Sequence, residues 1–345
     1  MGQADAPLPL AVPPLALIVA GPTASGKSAL AAELARRLDG VVINADSMQV
    51  YRELRILTAR PTPAEEAAVP HALYGVRSAA EPSSAAWWRT AALDAMEVAR
   101  SAGRLPILCG GTGLYLQALT AGLADIPDPG PAARAEARAL LAALGPAALH
   151  ARLMEADPAT ASTLRPSDGQ RLARAWEVWR GTGQGLATWH AEAKPPPAWT
   201  FRMMLLDPPR DTLRDAIEMR FTAMLTAGAV REAAALLALR LDPALPALRA
   251  VGMPELASHL RGELTLEEAR RRAVLASGQY AKRQATWFRR RAIAAPCATH
   301  TIHARFADRT QFSESVWCGL MRFIVLKDRR GASDNAPPGL SGVTT

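Results

Sequence analysis

The sequence predicts an α/β fold in which a parallel sheet is flanked by helices and interrupted by an all-helical insertion domain. Two observations predict the sheet: short apolar runs bounded by turn residues recur along the chain, and helical patterns separate the first three of these runs. Strands that alternate with helices form parallel sheets, because a crossover helix returns the chain to the same edge. A third observation predicts the insertion: from about residue 125 to residue 198 the pattern is mostly helical.

The predicted elements follow from these patterns in order. Each short apolar run is long enough for a strand buried on both faces, and the runs are Leu15–Ala20, Val41–Ile43, Leu105–Cys109 and Phe201–Leu206. Helical spacing predicts helices at Ser28–Leu38, Ala86–Ala102, Asp211–Leu241 and Leu266–Ile293. Gly and Pro predict breaks within the insertion at Gly145-Pro146, at Gly181–Gly185 and at Pro195–Pro197.

These elements divide the chain into a core and three additions. We expect the α/β core in residues 13–124 and 199–310, where it ends in a basic helix, and the insertion domain in residues 125–198. Residues 1–12 are Pro-rich and are expected to form a flexible arm. Residues 328–345 are rich in Gly, Ser, Pro and Asp without periodicity, which is typical of a disordered tail.

Composition narrows the class of protein. The chain has 345 residues, 49% of them hydrophobic and 21% charged, so it can bury a full core and wholesale disorder is excluded. Its three cysteines, Cys109, Cys297 and Cys318, are odd in number and far apart, which excludes a disulfide scaffold and favours a reducing, cytoplasmic location. No apolar run reaches the roughly 18 to 20 residues that a membrane span needs, so we expect no membrane association.

Positive charge is concentrated in one segment. The formal net charge is +8, and between residues 269 and 307 there is no Asp or Glu. The basic residues of this segment are Arg270, Arg271, Arg272, Lys282, Arg283, Arg289, Arg290, Arg291 and Arg305. Because the rest of the chain is nearly neutral, this basic segment predicts a localised site for a polyanion. A solvated charged helix face is the alternative that composition leaves open.

A phosphate-binding loop follows the first predicted strand. The pattern of a glycine, four residues and Gly-Lys-Ser is met by Gly21, Pro22, Thr23, Ala24, Ser25, Gly26, Lys27 and Ser28, between a predicted strand and a predicted helix. Backbone N–H groups and the helix N-terminus would hold phosphate oxygens, with Lys27 on the terminal phosphates and Ser28 on Mg²⁺. The pattern does not choose between a nucleotide and another diphosphate. Asp46 and Asp207, which each end a predicted strand, are both candidates for an acidic residue near the metal.

Asp46 has two interpretations. The carboxyl end of a strand is where α/β sheets carry ligand chemistry, and Asp46 follows the predicted strand that would lie beside the phosphate loop. The alternative is that Asp46 caps the N-terminus of a helix over Met48–Leu54.

Five motifs in order resemble one enzyme family. They are the phosphate loop, Asp46-Ser47-Met48-Gln49-Val50-Tyr51, Gly110-Gly111-Thr112-Gly113-Leu114-Tyr115, Gln170-Arg171-Leu172-Ala173-Arg174, and Lys282-Arg283-Gln284-Ala285-Thr286-Trp287-Phe288-Arg289. Together they resemble the tRNA dimethylallyltransferase family, over about residues 15 to 291. Eukaryotic members often add a C-terminal C₂H₂ zinc finger, but Cys297, His300 and His303 supply only one cysteine and are too closely spaced, so the chain resembles the bacterial form.

The resemblance implies a reaction and its partners. The dimethylallyl group of dimethylallyl diphosphate would be transferred to the exocyclic N6 of adenine 37 in tRNA, next to the anticodon, with Mg²⁺ as cofactor. The base must leave its stack to be reached. The expected partners are the anticodon stem-loop and the diphosphate donor, and the protein is expected to be a monomer. Two other enzymes remain open: one that prenylates free adenine nucleotides, and a P-loop kinase for a small metabolite.

The resemblance also implies roles for individual residues. Asp46 would accept the proton from N6, Thr112 would lie close to the target base, and Arg220 would help to bind diphosphate. Contacts to tRNA are implied for Asp46, Ser47, Met48, Gln49, Thr112, Arg134, Gln170, Arg171, Leu172, Ala173, Arg174, Arg249, Lys282, Arg283, Gln284, Thr286, Trp287 and Arg289. On the predicted basic helix, Lys282, Thr286 and Arg289 share one face.

The sequence departs from the family pattern in two places. The family usually has Ile-Gly-Thr-Ala-Lys-Pro where this chain has Leu57 and Arg60, and Leu57 does not easily take a positive φ. After Gly252 the family continues with Tyr, whereas this chain has Met253-Pro254. We therefore expect an altered loop at Leu57 and an altered tRNA contact near Arg249.

Overall fold

A computed structural model of the chain describes residues 13–192 and 195–325. The predicted arm at residues 1–12 and the predicted tail at residues 328–345 lie outside the described residues.

One parallel sheet forms the centre of the described structure, as predicted. Its six strands are β1 (Leu15–Ala20), β2 (Gly40–Asn44), β3 (His71–Ala72), β4 (Leu105–Gly110), β5 (Thr200–Leu206) and β6 (Thr299–Ile302). Their order across the sheet is β3-β2-β4-β1-β5-β6, and every neighbouring pair is parallel. The four predicted strands are confirmed. The two strands that the sequence did not predict are the edge strands, which are short and lack a continuous apolar run.

Helices cover both faces of the sheet. They are α1 (Lys27–Leu38), α2 (Pro63–Ala68), α3 (Ala85–Ser101), α4 (Gly113–Ala121), α5 (Gly130–Ala156), α6 (Pro158–Ala161), α7 (Gly169–Thr182), α8 (Leu186–Ala191), α9 (Arg210–Ala227), α10 (Ala229–Ala238), α11 (Met253–Leu260), α12 (Leu266–Arg290) and α13 (Glu314–Val325). One face packs on α1 and α13 through Leu30, Leu34 and Trp317. The opposite face packs on α3, α4 and the helices from α9 to α12.

Two helix predictions are corrected. Asp211–Leu241 is not one helix, because Gly228 (φ 106°) separates α9 from α10. Met48–Leu54 is not a helix at all: the segment forms turns and a single bridge between Tyr51 and Arg77. Asp46 therefore does not cap a helix, and that alternative is excluded.

The stretch from residue 130 to residue 191 contains only helices. Its own core includes Leu149, Leu153, Leu172 and Trp176, and its longest helix is interrupted at Gly145, whose φ of 74° is not helical. The predicted breaks at Gly145 and within Gly181–Gly185 are confirmed, since Gly183 takes a left-handed conformation after α7. The division of the chain into a core and an insertion domain remains a prediction.

In the described residues, no single helix has both the length and the apolar character to cross a membrane. The consecutive helices α9 and α10 meet that test only as a pair, with a bend of 65° between them.

Candidate functional site

The candidate site lies at the edge of the sheet where the parallel strands end. The phosphate loop follows β1, Asp46 follows β2, and Gly111 and Thr112 follow β4. Because all six strands are parallel, these segments emerge at one edge of the sheet, with β4 between β1 and β2. The strand that precedes Asp46 was expected to lie beside the phosphate loop and does not, because β4 separates it from β1. The carboxyl edge of such a sheet is where α/β proteins bind ligands.

The phosphate loop turns directly into α1. Gly26 caps the helix with a φ of 88°, and a Cβ at this position would lie 1.9 Å from the carbonyl oxygen of Phe306, so only glycine fits. Ala24 also has a positive φ, 65°. The Lys27 Nζ atom lies 3.4 Å from the carbonyl oxygen of Pro22, to which it donates. The loop therefore places a lysine at the N-terminus of a helix, which is an anion-binding arrangement.

Two cationic side chains lie at this loop: Lys27, which belongs to it, and Arg220, which comes from α9. Burial lowers the pKa of Lys27 from its ordinary value of 10.5, and the Asp46 carboxylate opposes this. Arg220 on α9 donates to the hydroxyl of Thr23. Burial lowers the pKa of Arg220 as well, with Asp46 again acting in the opposite direction. Packing two partly dehydrated cations beside one loop costs free energy, which a bound anion would recover.

A buried asparagine fixes the turn that carries Asp46. Asn44 is fully buried, its Oδ1 atom accepts from the backbone N–H of Asp46 at 2.8 Å, and its Nδ2 atom donates to the carbonyls of Asp46 and Leu73 at 3.0 and 3.1 Å. The Asp46 Oδ1 atom in turn accepts from the backbone N–H of Met48 at 2.9 Å. The local hydrogen bonds form an Asx-type turn rather than a helix cap.

Replacing Asn44 with alanine is expected to lower the free energy of unfolding by about 2 kcal/mol, because three buried backbone groups lose their partner. Urea denaturation of the two proteins measures this difference. A difference in unfolding free energy below about 0.5 kcal/mol would contradict the assignment.

Thr112 connects the β4 turn to the Asp46 turn. Its hydroxyl oxygen accepts from the backbone N–H of Ser47 at 3.0 Å, and its hydroxyl donates to the Ser47 hydroxyl oxygen at 3.3 Å. Tyr280 on α12 lies against the same group. Burial raises the pKa of Tyr280, the Asp46 charge raises it further, and hydrogen bonds with Thr112 and Gln284 act in the opposite direction. Thr112, Asp46 and Tyr280 therefore form one polar cluster.

A cavity joins this cluster to the phosphate loop. Its polar end contains Thr23, Asp46 and Arg220, and its apolar wall comes from α9 and from the two loops that contain Leu57 and Ala250. The complete lining is Thr23, Asp46, Met48, Leu57, Thr58, Ile217, Arg220, Phe221, Met224, Ala250, Val251, Ser277 and Tyr280. The structure thus brings together three predicted site residues that lie far apart in sequence.

Two predicted tRNA contacts have structural roles in the protein itself. Gln284 is only 5% exposed, accepts from the backbone N–H of Thr23 at 2.8 Å and donates to the carbonyl of Gly111 at 2.9 Å. It therefore ties α12 to the phosphate loop and to the β4 turn. Gln49 donates from Nε2 to the carbonyls of Thr58 and Ala59 at 2.8 and 3.1 Å. Their contacts with tRNA stay predictions beside these structural roles.

A second, wider groove lies between α12 and the helical stretch. Its lining residues are mostly basic or polar and come from both sides: Thr163, Arg165, Asp168, Arg171, Gln279, Lys282, Arg283, Thr286, Trp287, Arg290 and Arg291. The Trp287 ring packs against Gly113, which begins α4, and its buried indole N–H has no hydrogen-bond partner among the described residues. The groove therefore runs past the turn that carries Thr112.

The basic segment of the sequence is not one surface. Arg270, Arg271 and Arg272 pair with Glu267, Glu268 or Glu218 at 2.7 to 3.1 Å, so they are largely neutralised. Arg289 lies 3.6 Å from the Asp207 carboxylate and does not line the groove. The segment predicted to form a polyanion site is therefore not uniformly available, because acidic residues just outside the segment, and on other elements, pair with some of its arginines.

Arg305 belongs to the basic segment in sequence but contacts a different part of the protein. Its Nε atom donates to the carbonyl oxygen of Ala24 at 3.1 Å, in the phosphate loop. Arg305 follows β6, whose neighbour β5 lies beside β1. The sequence could not place it, because β6 was not predicted.

The other predicted tRNA contacts are distributed over the surface and the helical core. Leu172 is fully buried in the core of the helical stretch, which argues against a side-chain contact to RNA, and Ala173 packs against that core. Arg134 pairs with Asp128, and Arg174 lies 2.6 Å from Glu177. Three others are exposed, Gln170, Arg171 and Arg249, and Arg171 lies 3.4 Å from the carboxylate of Asp168. Of these, Arg171 lines the groove.

One residue of the loop could hold a divalent metal ion. Ser28 is exposed in the first turn of α1 and carries a hydroxyl oxygen. The described residues contain no group of three or more His, Cys, Asp or Glu side chains that could hold a metal.

Sequence reasoning missed three residues that the structure brings to the site: Asn44, Tyr280 and Arg305. Asn44 could have been suspected, because a polar residue at the end of an apolar run needs buried partners. Tyr280 gave no signal, since its contact with Thr112 joins residues more than 150 positions apart in the chain. Arg305 stood out only as a member of the basic segment, and its contact with the phosphate loop joins residues equally far apart.

Family models match most of the chain. The IPP transferase model matches residues 49–291, and the isopentenyl transferase model matches residues 14–73. Two relatives are both named tRNA dimethylallyltransferase. The one from Granulibacter bethesdensis is 59% identical over 310 residues, covering 90% of this chain and 97% of its own length. The one from Acidiphilium cryptum is 60% identical over 311 residues, covering 90% and 94%.

Solved structures agree with these matches. A tRNA isopentenylpyrophosphate transferase from Bacillus halodurans is 33% identical, with a TM-score of 0.63 over 90% of this chain and 96% of that chain. A eukaryotic dimethylallyltransferase acting on tRNA is 27% identical, with a TM-score of 0.68 over 80% of this chain and 70% of that chain.

Proposed function

The chain belongs to the tRNA dimethylallyltransferase family and transfers a dimethylallyl group to tRNA, and we propose that the donor is dimethylallyl diphosphate and the acceptor is N6 of adenine 37. One observation carries this proposal: a single cavity is lined by Thr23 of the phosphate loop, by Arg220 and by the Asp46 carboxylate. A diphosphate and a group that must lose a proton can therefore meet there.

The phosphate loop would bind the leaving group. As N6 attacks C1 of the dimethylallyl group, the C1–O bond breaks and its electron pair goes to the diphosphate. Lys27, Arg220 and the N–H groups at the start of α1 would stabilise the negative charge that builds there. Mg²⁺ bound at Ser28 would neutralise more of this charge. The lowered pKa values of Lys27 and Arg220 in the free protein support this role, since both cations gain from an anion.

Asp46 would orient and deprotonate the attacking amine. An exocyclic adenine amine is a weak nucleophile and must lose a proton as its new N–C bond forms. A fixed carboxylate within hydrogen-bond reach can aim the amine and accept that proton. The Asn44 and Met48 contacts hold Asp46 in place, and Thr112 and Tyr280 would border the base beside it.

The groove between α12 and the helical stretch would hold the anticodon arm. Its basic residues come from both walls, with Arg165 and Arg171 on one side and Lys282, Arg283 and Arg290 on the other. Adenine 37 must be extruded from its stack to reach Asp46, and the contacts in the groove would offset that cost.

The proposal is tested by incubating the protein with labelled dimethylallyl diphosphate, Mg²⁺ and unmodified tRNA. Label should enter the tRNA. A transcript with guanosine at position 37 is the matched control and should stay unlabelled, because it lacks the N6 amine. Label on free AMP but not on tRNA, or equal labelling of both transcripts, would overturn the proposed acceptor.

Replacing both Lys282 and Arg283 with alanine is expected to weaken tRNA binding. The association constant should also fall less steeply with salt: the negative slope of its logarithm against log salt should become shallower by about 1.5, since two phosphate contacts are lost. Filter binding at several salt concentrations measures this. The matched control replaces Arg271 and Arg272, which lie on the same helix but pair with Glu268. It removes the same charge and should change the slope little. Equal effects of the two double variants would contradict a localised groove.

A further inference from the structure

The segment that follows β6 packs against the outer side of the phosphate loop. The backbone N–H of Phe306 donates to the carbonyl of Ser25 at 3.0 Å, and the Nε atom of Arg305 donates to the carbonyl of Ala24 at 3.1 Å. These donors hold two successive loop carbonyls. The contact is close enough that a Cβ on Gly26 would lie 1.9 Å from the Phe306 carbonyl oxygen.

The segment is itself held rigidly. The Phe306 side chain is 1% exposed and packs against Phe312 and Trp317, with ring centroids 5.5 and 6.1 Å apart. Trp317 belongs to α13 and is 1% exposed. The position of the phosphate loop therefore depends on the last described helix of the chain as well as on β1 and α1.

Holding these carbonyls has a direct consequence for the loop N–H groups. In a trans peptide unit the C=O and N–H bonds point in opposite directions. Fixing the carbonyl of Ser25 on the outer side therefore aims the N–H of Gly26 toward the inner side, where a phosphate is cradled. The carbonyl of Ala24 is fixed in the same way in the preceding peptide unit, whose Ser25 N–H donates to the carbonyl of Pro22 at 3.3 Å within the loop.

Arg305 also adds charge to the site. Within the described part of the chain it has no carboxylate partner within ion-pair distance, and its charge is one of the causes that lower the pKa of Arg220. It is thus a third cation beside the loop, after Lys27 and Arg220.

We propose that Arg305 is a positioning residue for diphosphate binding: with Phe306 it braces the loop carbonyls of Ala24 and Ser25, and its charge strengthens the attraction of the loop for a diphosphate. This inference rests on the proposed function in one respect only, the identity of the anion as a diphosphate. Preorganised N–H donors stabilise a leaving group without reorganisation during the reaction, so Arg305 should affect both diphosphate affinity and the rate of transfer.

The test compares the full-length wild type with Arg305→Gln, which keeps a donor for the Ala24 carbonyl but removes the charge, and with Arg305→Lys, which keeps the charge. Isothermal titration with inorganic diphosphate and Mg²⁺ gives the dissociation constants. Arg305→Gln should bind about tenfold more weakly, and Arg305→Lys should stay within about threefold of the wild type, because the charge is retained. Arg309→Gln, an exposed arginine four residues further on, is the matched control and should bind normally.

Steady-state kinetics separate positioning from general damage. Arg305→Gln should raise KM for dimethylallyl diphosphate and lower kcat while KM for tRNA stays unchanged. Wild-type diphosphate affinity in Arg305→Gln, equal losses in the Gln and Lys variants, or a parallel loss of tRNA affinity would each overturn the proposal. Failure of the proposed function would look different: the wild type would bind diphosphate, with Arg305→Gln still weaker, but would transfer no label to tRNA.

Discussion

Replacing Asp46 with asparagine is expected to slow prenyl transfer about 10²- to 10⁴-fold, which is the usual contribution of a general base. Asparagine keeps an oxygen that can accept from the backbone N–H of Met48, so the turn should survive. The side chain loses the negative charge and the basic oxygen that would accept the proton from N6. Single-turnover transfer of labelled dimethylallyl groups to tRNA measures the rate, and tRNA affinity should remain close to the wild-type value.

Asp207→Asn is the matched control for this experiment. Asp207 also ends a strand at the same edge of the sheet, but it does not line the cavity and lies 3.6 Å from Arg289. We expect its transfer rate to stay within about threefold of the wild type, because its carboxylate lies outside the cavity and makes only a long ion pair with Arg289. Normal transfer by Asp46→Asn, or an equally large loss in Asp207→Asn, would show that Asp46 is not the base.

Replacing Lys27 with methionine is expected to lower the transfer rate about 10²- to 10³-fold, the typical cost of removing one preorganised stabiliser of a developing anion. Methionine keeps most of the apolar stem, so the loop should fold. Affinity for inorganic diphosphate should fall in the same variant, whereas affinity for tRNA should not. Unchanged diphosphate affinity would contradict the assignment of the loop as the leaving-group site.

The pKa of Lys27 also predicts that diphosphate affinity decreases as the pH rises. Burial lowers the pKa of Lys27 below 10.5 in the free protein, so the lysine loses its charge at a lower pH than an ordinary lysine does. A bound diphosphate favours the charged form and raises that pKa, so binding takes up a proton in the alkaline range. Diphosphate affinity should therefore weaken as pH rises toward 10.5, and this weakening should be absent in Lys27→Met. Titration calorimetry across this range measures both.

The parts of the site that the sequence predicted are those encoded by short local patterns. The phosphate loop needs particular residues at fixed spacing between a strand and a helix, and those spacings are visible in Gly21–Ser28. Asp46 could be placed at the same edge of the sheet as the loop, because buried strands are visible as apolar runs and parallel strands end at one edge. The sequence did not show that β4 separates its strand from β1. Its two interpretations were separated only by the structure, in which the residues after it form a turn.

Charge was predicted least well, because ion pairing depends on neighbours in space. The segment from Arg270 to Arg305 appears uniformly basic in sequence. Its first three arginines nevertheless pair with glutamates on α12 and α9, and the side chain of its last arginine, Arg305, donates to a carbonyl of the phosphate loop. Gln284 shows the same limitation for a neutral side chain: it lies within a predicted tRNA-binding motif, but its amide holds the phosphate loop to the β4 turn.

The sequence by itself determined the parallel α/β fold, the phosphate loop, the candidate base Asp46 and the family resemblance, because each depends on local periodicity or on fixed spacing along the chain. Only the tertiary structure decided which cations line the groove, that Asn44 fixes the Asp46 turn, and that Arg305 donates to the phosphate loop. These features depend on which strand ends lie side by side. Strand order is a property of the folded sheet, and the two edge strands are too short to leave a pattern in the sequence.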